Sequence, residues 1–359
     1  MTILLEPDPD IAVRVAAAID GVVWTVDSFA GIAQAFAEHP DESVVVLGGG
    51  TDPAQALDFV SMLHRGRPTV SVILLREPAD SGARIAYSGL YDIVATDDFD
   101  ALAEACRLAV FPTGRPSAGR VVTVLAPTSG YGKTTVATNL AAVLSAESQR
   151  VCLLDLDLDY GDMAVVLGFQ PEDLWPPDAP AVKRLRPGLH CVLAPVRPGD
   201  AERMPADAVN TLLNALVANY DYVVVDTPTQ FTAHVLYALD RSDHHVLVAT
   251  AERPALRNLR RTIDILDLLG YPREARTVLL NRSDPRGDLT AADIDALIRN
   301  PVAGRLPGTA DVPASINSGV PLAIGAPDHP FTEGLRRFAG SHVLSGHRNT
   351  VRGGGPGAR

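Results

Sequence analysis

The run APTSGYGKTT at residues 126–135 gathers the side chains and backbone types that hold phosphate. Gly130 and Gly132 let the backbone approach an anion with no Cβ in the way, so that loop amides can point at phosphate oxygens. Lys133 adds a mobile ammonium, and the Thr134 hydroxyl can reach a magnesium ion. Ser129, Tyr131 and Thr135 complete the stretch whose amides would line such a cradle. Two further segments end apolar runs in carboxylates. VCLLDLDLDYGD at 151–162 places Asp155 and Asp157, and DYVVVDTP at 221–228 places Asp226. Acids at those points can hold a metal through water or orient an attacking water. Aspartates at strand ends are common singly, but three phosphate-site elements on separate buried strands are an improbable coincidence.

Such a site needs a strand, a loop and a helix in direct succession, and the sequence supplies them. VVTVL precedes the loop. After it Val136, Leu140, Val143 and Leu144 recur at helical spacing, until the polar segment from Ser145 to Gln149. Further strands are expected at Val151 to Leu154, Cys191 to Leu193, Tyr222 to Val225, Val246 to Ala249 and Thr277 to Leu280. These near-continuous apolar runs suit strands buried on both faces of a parallel sheet. Upstream, five shorter runs (Ile3 to Leu5, Val22 to Thr25, Ser43 to Leu47, Val70 to Leu75, Asp92 to Ala95) alternate with helical stretches, predicting a small doubly wound sheet.

A chain of 359 residues exceeds what one core usually supports, roughly 250 to 300 residues. The Pro-, Gly- and Ser-bearing segment FPTGRPSAG at 111–119 is the natural linker. The expected organisation is an α/β domain at 1–110, the linker, a second α/β domain at 120–342, and a disordered tail at 343–359, whose closing VRGGGPGAR is too rich in glycine to hold a helix.

The formal charge of −12 argues against wholesale wrapping of nucleic acid. Residues 1–119 hold 17 acids against seven arginines and no lysine, a net of −10, so the acidity belongs to the first third. Only Lys133 and Lys183 stand among 29 arginines, as if lysine were kept where its chemistry matters. Cys106, Cys152 and Cys191 follow no metal-ligand spacing and sit in apolar stretches, which fits a reducing cytosol. The sequence starts MTILLEPDPD and has no long apolar run, so neither a cleaved export signal nor a membrane span is expected.

Over most of residues 120–340 the text resembles the MinD/ParA class of deviant Walker A ATPases, and within it the CpaE/TadZ group of Flp (Tad) pilus assembly. The matching pieces are GKTTVATNLA, LLDLDLDYGDMAVVLG, YDYVVVDTP, PALRNLRRTIDILDLLGYP, VLLNRSD and INSGVPL. The resemblance implies a P-loop NTPase domain with a mostly parallel sheet, preceded by a receiver-like domain. It implies ATP and Mg²⁺ as ligands, with Lys133 on the β and γ phosphates, Thr134 and Asp226 at the magnesium, Asp157 at the hydrolytic water and Asn281 on the adenine. It also implies an ATP-linked homodimer, slow hydrolysis, and a cytoplasmic protein, peripheral at the inner membrane or cell pole, that positions pilus or secretion machinery through its first domain.

Two departures stand out. The class usually reads KGGxGKT, with its first lysine reaching the partner's phosphates, whereas Thr128 stands there in TSGYGKT. One charge-assisted phosphate contact contributes on the order of 1.5 to 3 kcal/mol, and a transition-state cation of the arginine-finger type about 10³ or more in rate. ATP binding through Lys133 is expected to survive, and turnover to suffer. A nucleotide-gated scaffold without turnover is the alternative. In the first domain, Leu47, Gly48 and Gly49 stand where a receiver places its phospho-accepting Asp, and Thr96, Asp97 and Asp98 where it places a Lys, so the expectation is a pseudo-receiver used for docking. Glu6 and Asp8 read as solvated acids capping the first helix. Arg257, Arg260 and Arg261 form a stripe that is either a solvated face, with Asp264 and Asp267 following, or a DNA contact of a chromosome- or septum-positioning ATPase. Phe331, Leu335 and Phe338 form a face that either packs on the sheet or meets lipid, and packing is the simpler reading.

Overall fold

The computed structural model describes residues 2–67, 70–76, 90–109, 119–147, 149–159, 161–169, 182–194, 208–284 and 289–344. The first sheet holds five parallel strands, β1 (Thr2–Leu5), β2 (Val23–Val26), β3 (Val44–Leu47), β4 (Ser71–Arg76) and β5 (Asp92–Ala95), in the order β2-β1-β3-β4-β5. Helices α1 (Pro9–Ala18), α2 (Phe29–Glu38), α3 (Pro53–Gly66) and α4 (Phe99–Ala109) connect or follow them. Alternate residues of each strand face opposite layers: Ile3, Val45 and Leu47 pack with Ile32, Phe36 and Val60, while Leu4, Val44 and Val46 pack with Val15 and Leu102. Asp8 caps α1 by accepting from the amides of Asp10 and Ile11, as expected. Glu6 is not solvated as expected; it is buried, and its Oε1 accepts from the Asp8 amide at 3.1 Å.

The second sheet has eight strands in the order β13-β12-β11-β6-β10-β7-β9-β8. They are β6 (Arg120–Leu125), β7 (Val151–Asp155), β8 (Val182–Arg186), β9 (Leu189–Val192), β10 (Tyr222–Asp226), β11 (His244–Ala249), β12 (Arg276–Leu280) and β13 (Val302–Arg305). Among the described residues only the β8–β9 pair is antiparallel. The six central strands lie where the apolar runs predict them. The two missed, VKRLR and VAGR, are the edges of the sheet, where half-exposure removes the need for a continuous apolar run.

Helices α5 (Lys133–Ala146), α6 (Met163–Val166), α7 (Ala208–Asn219), α8 (Ala233–Asp240), α9 (Arg253–Leu268), α10 (Ala291–Ile298), α11 (Asp311–Ser318), α12 (Leu322–Gly325) and α13 (Pro330–Phe338) surround this sheet. Residues of α5 are buried almost end to end, because it lies between the sheet and a layer made by α12 and α13. Asn139, in the middle of α5, ties those layers together: its Nδ2 donates to the Thr135 carbonyl and its Oδ1 accepts from the Ala323 amide, both at 2.8 Å. Phe331, Leu335 and Phe338 are buried in the same core as Leu140 and Leu144, so the α13 apolar face belongs to the core and not to lipid. The helical path continues through Leu344, with Val343 buried, so residues 343 and 344 are ordered and not part of the tail expected from 343. Residues 345–359 and linker residues 111–118 lie outside the described residues.

The two units meet where β5 begins. Asp92, fully buried, lies 2.9 Å from Arg184 Nε and 3.2 Å from His190 Nε2, and Glu104 of α4 lies 3.2 Å from Arg186. Among the described residues no helix is long and apolar enough to cross a membrane.

Candidate nucleotide-binding site

β6 runs up the middle of the second sheet between β11 and β10, and the chain turns from it through residues 126–132 into α5. Gly130 (φ +86°) and Gly132 (φ +89°) take left-handed backbone angles that residues with a Cβ resist. Gly132 is the N-cap of α5 and offers no capping side chain, so the first helical amides remain available to an anion. Ser129 is exposed on the loop, as is Thr128. The Tyr131 ring packs against the main core, leaving its carbonyl to accept from Asn281 Nδ2 at 3.0 Å. Lys133 is buried, and Thr135 is buried beside it on the first turn.

Below the loop, Asp226 at the end of β10 stands in register with Asp155 at the end of β7. The Thr134 hydroxyl donates to Asp226 Oδ2 at 2.6 Å. Asp226 Oδ1 is buried and has no hydrogen-bond partner among the described residues. Burial lifts the Asp226 carboxyl from 3.8 to about 6, against the opposing pull of Lys133 and the Thr134 hydroxyl. Asp155 is pushed well above the usual carboxylate range, first by burial and next by the charge of Asp226. Its Oδ1 accepts from the Asp157 amide at 3.0 Å, and Asp157 stands half-buried at the edge of the pair. Two buried carboxylates with one lysine leave the site short of positive charge, and an orphaned oxygen beside a hydroxyl is a fit for a hard cation. Among the described residues no three His, Cys, Asp or Glu side chains converge into a metal cage. Thr134 and Asp226 would therefore hold Mg²⁺ together with phosphate oxygens, as that ion commonly binds.

Asn281 follows β12, and both ends of its amide are engaged: Nδ2 with the Tyr131 carbonyl and Oδ1 with the Arg282 amide at 3.0 Å. A Cβ on Gly132 would overlap that Nδ2, so glycine and asparagine fit each other. Asn281 thus positions the phosphate loop, and it also lines a cavity of about 400 Å³ beside it. That cavity, bounded further by Thr135, Arg282, Pro307, Val312 and Pro313, is large enough for a nucleobase. Thr135 and Asn281 apart, sequence reasoning missed its walls. The Pro307–Gly308 pair was a usable turn signal, whereas nothing in the sequence flags Arg282, which holds φ +50° at the cavity rim. The arginine stripe on α9 is reduced: Arg260 pairs with Asp264, while Arg257 and Arg261 remain exposed.

Comparison with known proteins agrees with this geometry. The septum site-determining protein MinD of Thermotoga maritima is 24% identical over 222 residues, covering 57% of this chain and 82% of that protein. MinD of Bacillus subtilis is 24% identical over 225 residues, covering 57% and 82%. Among solved structures, MinD from Pyrococcus horikoshii OT3, complexed with Mg-ADP, aligns with a TM-score of 0.55 at 19% identity over 64% of this chain and 98% of that one. A ParA family ATPase from Chlorobium tepidum TLS aligns with a TM-score of 0.56 at 22% identity, over 62% and 99%. Residues 122–322 match the family described as CbiA, the CobQ/CobB/MinD/ParA nucleotide binding domain, and that stretch holds the loop, both buried acids and Asn281. The chain belongs to this MinD/ParA-type family of P-loop ATPases.

Proposed function

We propose that the chain is a Mg·ATP-driven positioning ATPase of the CpaE/TadZ kind, which marks where Flp (Tad) pilus or secretion machinery assembles. The observation that carries the ATPase reading is the buried Asp226 Oδ1, unpartnered among the described residues, beside the Thr134 hydroxyl and below a loop with two left-handed glycines. In this reading Lys133 grips the β and γ phosphates, Thr134 and Asp226 hold Mg²⁺, Asp157 orients the water, and residues 129–135 with Asn281 surround the nucleotide. ATP brings two copies together face to face, and hydrolysis is slow because Thr128 replaces the cation that would cross the dimer. The pilus assignment is supported by the first unit. The MinD relatives account for little more than half of the chain, and a second α/β unit precedes the matched region. We read that unit as a pseudo-receiver, spanning 1–110, that docks assembly proteins while the ATPase domain at 120–342 cycles, in the cytoplasm and peripherally at the membrane or pole.

Calorimetry with Mg·ATP tests the engine: wild type binds and Lys133→Ala does not. Undiminished binding by the variant would overturn the site. The pilus role is tested in the host cell, where deletion should abolish Flp pili and wild type but not Lys133→Ala should restore them. The relatives, septum site-determining proteins, favour a second reading, placement of the division septum. Deletion that yields minicells with normal pili would establish that reading in place of the first.

A further inference from the structure

The first sheet has two edges, and they differ. β5 abuts the second unit through Asp92, Arg184 and His190, whereas among the described residues β2 has no strand beyond it. The backbone phase of β2 is fixed by two hydrogen bonds, Thr2 amide to Val22 carbonyl and Glu6 amide to Val26 carbonyl, each 3.0 Å. With Ile3 opposite Trp24 in register, Trp24 and Val26 turn their backbone groups toward β1, and Val23 and Thr25 turn theirs outward. An edge of this kind usually carries a charge, a proline or a bulge that discourages pairing. The β2 sequence, VWTV, carries none of these.

The surroundings of that edge specify what it would accept. A groove of about 490 Å³ follows the strand, walled by Trp24, Asp27, Glu38 and Glu6, and no Lys, Arg or His lines it. Trp24 is 38% exposed, its ring held by stacking on His39 at a centroid distance of 4.2 Å. Glu6 is only 5% exposed; its Oε1 accepts from the Asp8 amide, and its Oε2 accepts no hydrogen bond from the described residues. Three carboxylates beside an indole face attract an ammonium or guanidinium, and the whole first third is ten charges to the acidic side.

We propose that β2 is the docking edge for an extended basic segment of a partner protein. The segment adds to the sheet as a sixth strand, hydrogen-bonding Val23 and Thr25, and sends an Arg or Lys side chain along Trp24 toward Glu6, Asp27 and Glu38. Strand addition of this type draws affinity from backbone bonds and selectivity from side-chain pockets. A second copy of this chain is disfavoured as the occupant, since its own β2 edge is equally acidic and offers the groove no Lys or Arg. The surface lies outside the nucleotide site, so it operates whether or not ATP binds.

The test uses the full chain and a fluorescein-labelled heptapeptide, Thr-Arg-Val-Arg-Val-Arg-Thr, with blocked ends, read by anisotropy. Saturable binding is expected, retained in Lys133→Ala and absent for the counterpart with Glu in place of Arg. The version with Pro in place of Val, which cannot donate to an edge, should bind at least about tenfold more weakly, a difference of about 1.4 kcal/mol. Thr25→Pro removes an outward amide without touching the β1 ladder and should produce the same loss. The double variant Asp27→Asn/Glu38→Gln alters exposed side chains only, so it keeps the test valid should Thr25→Pro fail to fold, and it too should weaken binding at least about tenfold. No binding of the arginine peptide, or equal binding of the prolyl peptide, overturns the proposal. So does a sedimenting dimer that Asp27→Asn/Glu38→Gln strengthens, because the edge would then belong to a second copy.

Discussion

At the carboxyl end of β10 stands Asp226, joined to Thr134 and open on its second oxygen; at the carboxyl end of β3 stands Gly48, directly beneath the Glu6 carboxylate. Both positions close a central parallel strand of an α/β unit, the kind of place where such sheets hold ligands. In the second unit the loops leave room: two left-handed glycines open a cradle, and buried acids wait for a cation. In the first the equivalent space is filled. A Cβ on Gly48 would overlap Glu6 Oε2 and lie 2.7 Å from the Leu5 carbonyl oxygen, and one on Gly49 would lie 2.5 Å from Thr96 Cγ2. The same architecture carries a phosphate engine once and a closed top once, so the chemistry resides in a few loop residues and not in the sheet.

The contrast breaks most directly at the lysine. Lys133→Ala removes the ammonium that would grip two phosphates, and charge-assisted hydrogen bonds of about 1.5 to 3 kcal/mol each predict a loss of Mg·ATP affinity of about 100-fold or more in calorimetry. A loss under threefold would place the second unit with the first. Next in size is Asp226→Asn. The folded pKa of about 6 lies above the ordinary 3.8, so the native state holds the proton more tightly and its stability falls as pH rises from about 4 through 6. At pH 7 the ionised carboxylate therefore costs the empty site about 3 kcal/mol at most. Asp226→Asn should melt higher than wild type at pH 7.5, by a margin that shrinks at pH 5, while losing the Mg²⁺ dependence of ATP binding. Comparing variant with wild type at each pH cancels His244, held near 4 by burial, which weakens the fold as pH falls from 6.5 through 4.

The sequence made some parts of this contrast easier to read than others. Central strands such as VVVL and YVVVD were legible because burial on both faces forces continuous apolar runs, and the loop was legible because an anion cradle permits few residue types. Edges hid: VKRLR looks like a charged loop, yet it pairs with β9, and its Arg184 and Arg186 lie against Asp92 and Glu104 of the other unit. Glu6 was misread as solvated because its burial depends on Gly48, 42 residues away in sequence and adjacent across β1 and β3. Asn281 was placed at the nucleotide, yet its two amide contacts to Tyr131 and Arg282 arise only when β12 and the loop are side by side.

The closed top can be tested by trying to open it. Gly48→Asp would place a carboxylate where a phospho-accepting acid stands in a receiver, against both Glu6 and the Leu5 carbonyl. Backbone cannot move aside as a flexible side chain can, so overpacking should destabilise the first unit by about 2 kcal/mol. Thermal melts should record the loss, and Mg·ATP binding in the same sample should be unchanged. Pairing it with Glu6→Ala should recover part of the loss. A Gly48→Asp chain of full stability would mean that the top of the first sheet is open after all.

The smallest effect expected is at Asn281, and it separates two roles. If Asn281 chiefly positions the loop, Asn281→Ala leaves the Tyr131 carbonyl without its donor and frees the strained turn at Arg282, at a cost of about 1 kcal/mol. The loop would then bind every phosphate-bearing ligand more weakly by a similar factor, near fivefold for about 1 kcal/mol. If it chiefly reads the base, ATP would lose affinity while inorganic triphosphate would not. Measuring both ligands against wild type decides between them. The geometry predicts parallel losses, because both polar atoms of the amide already face backbone.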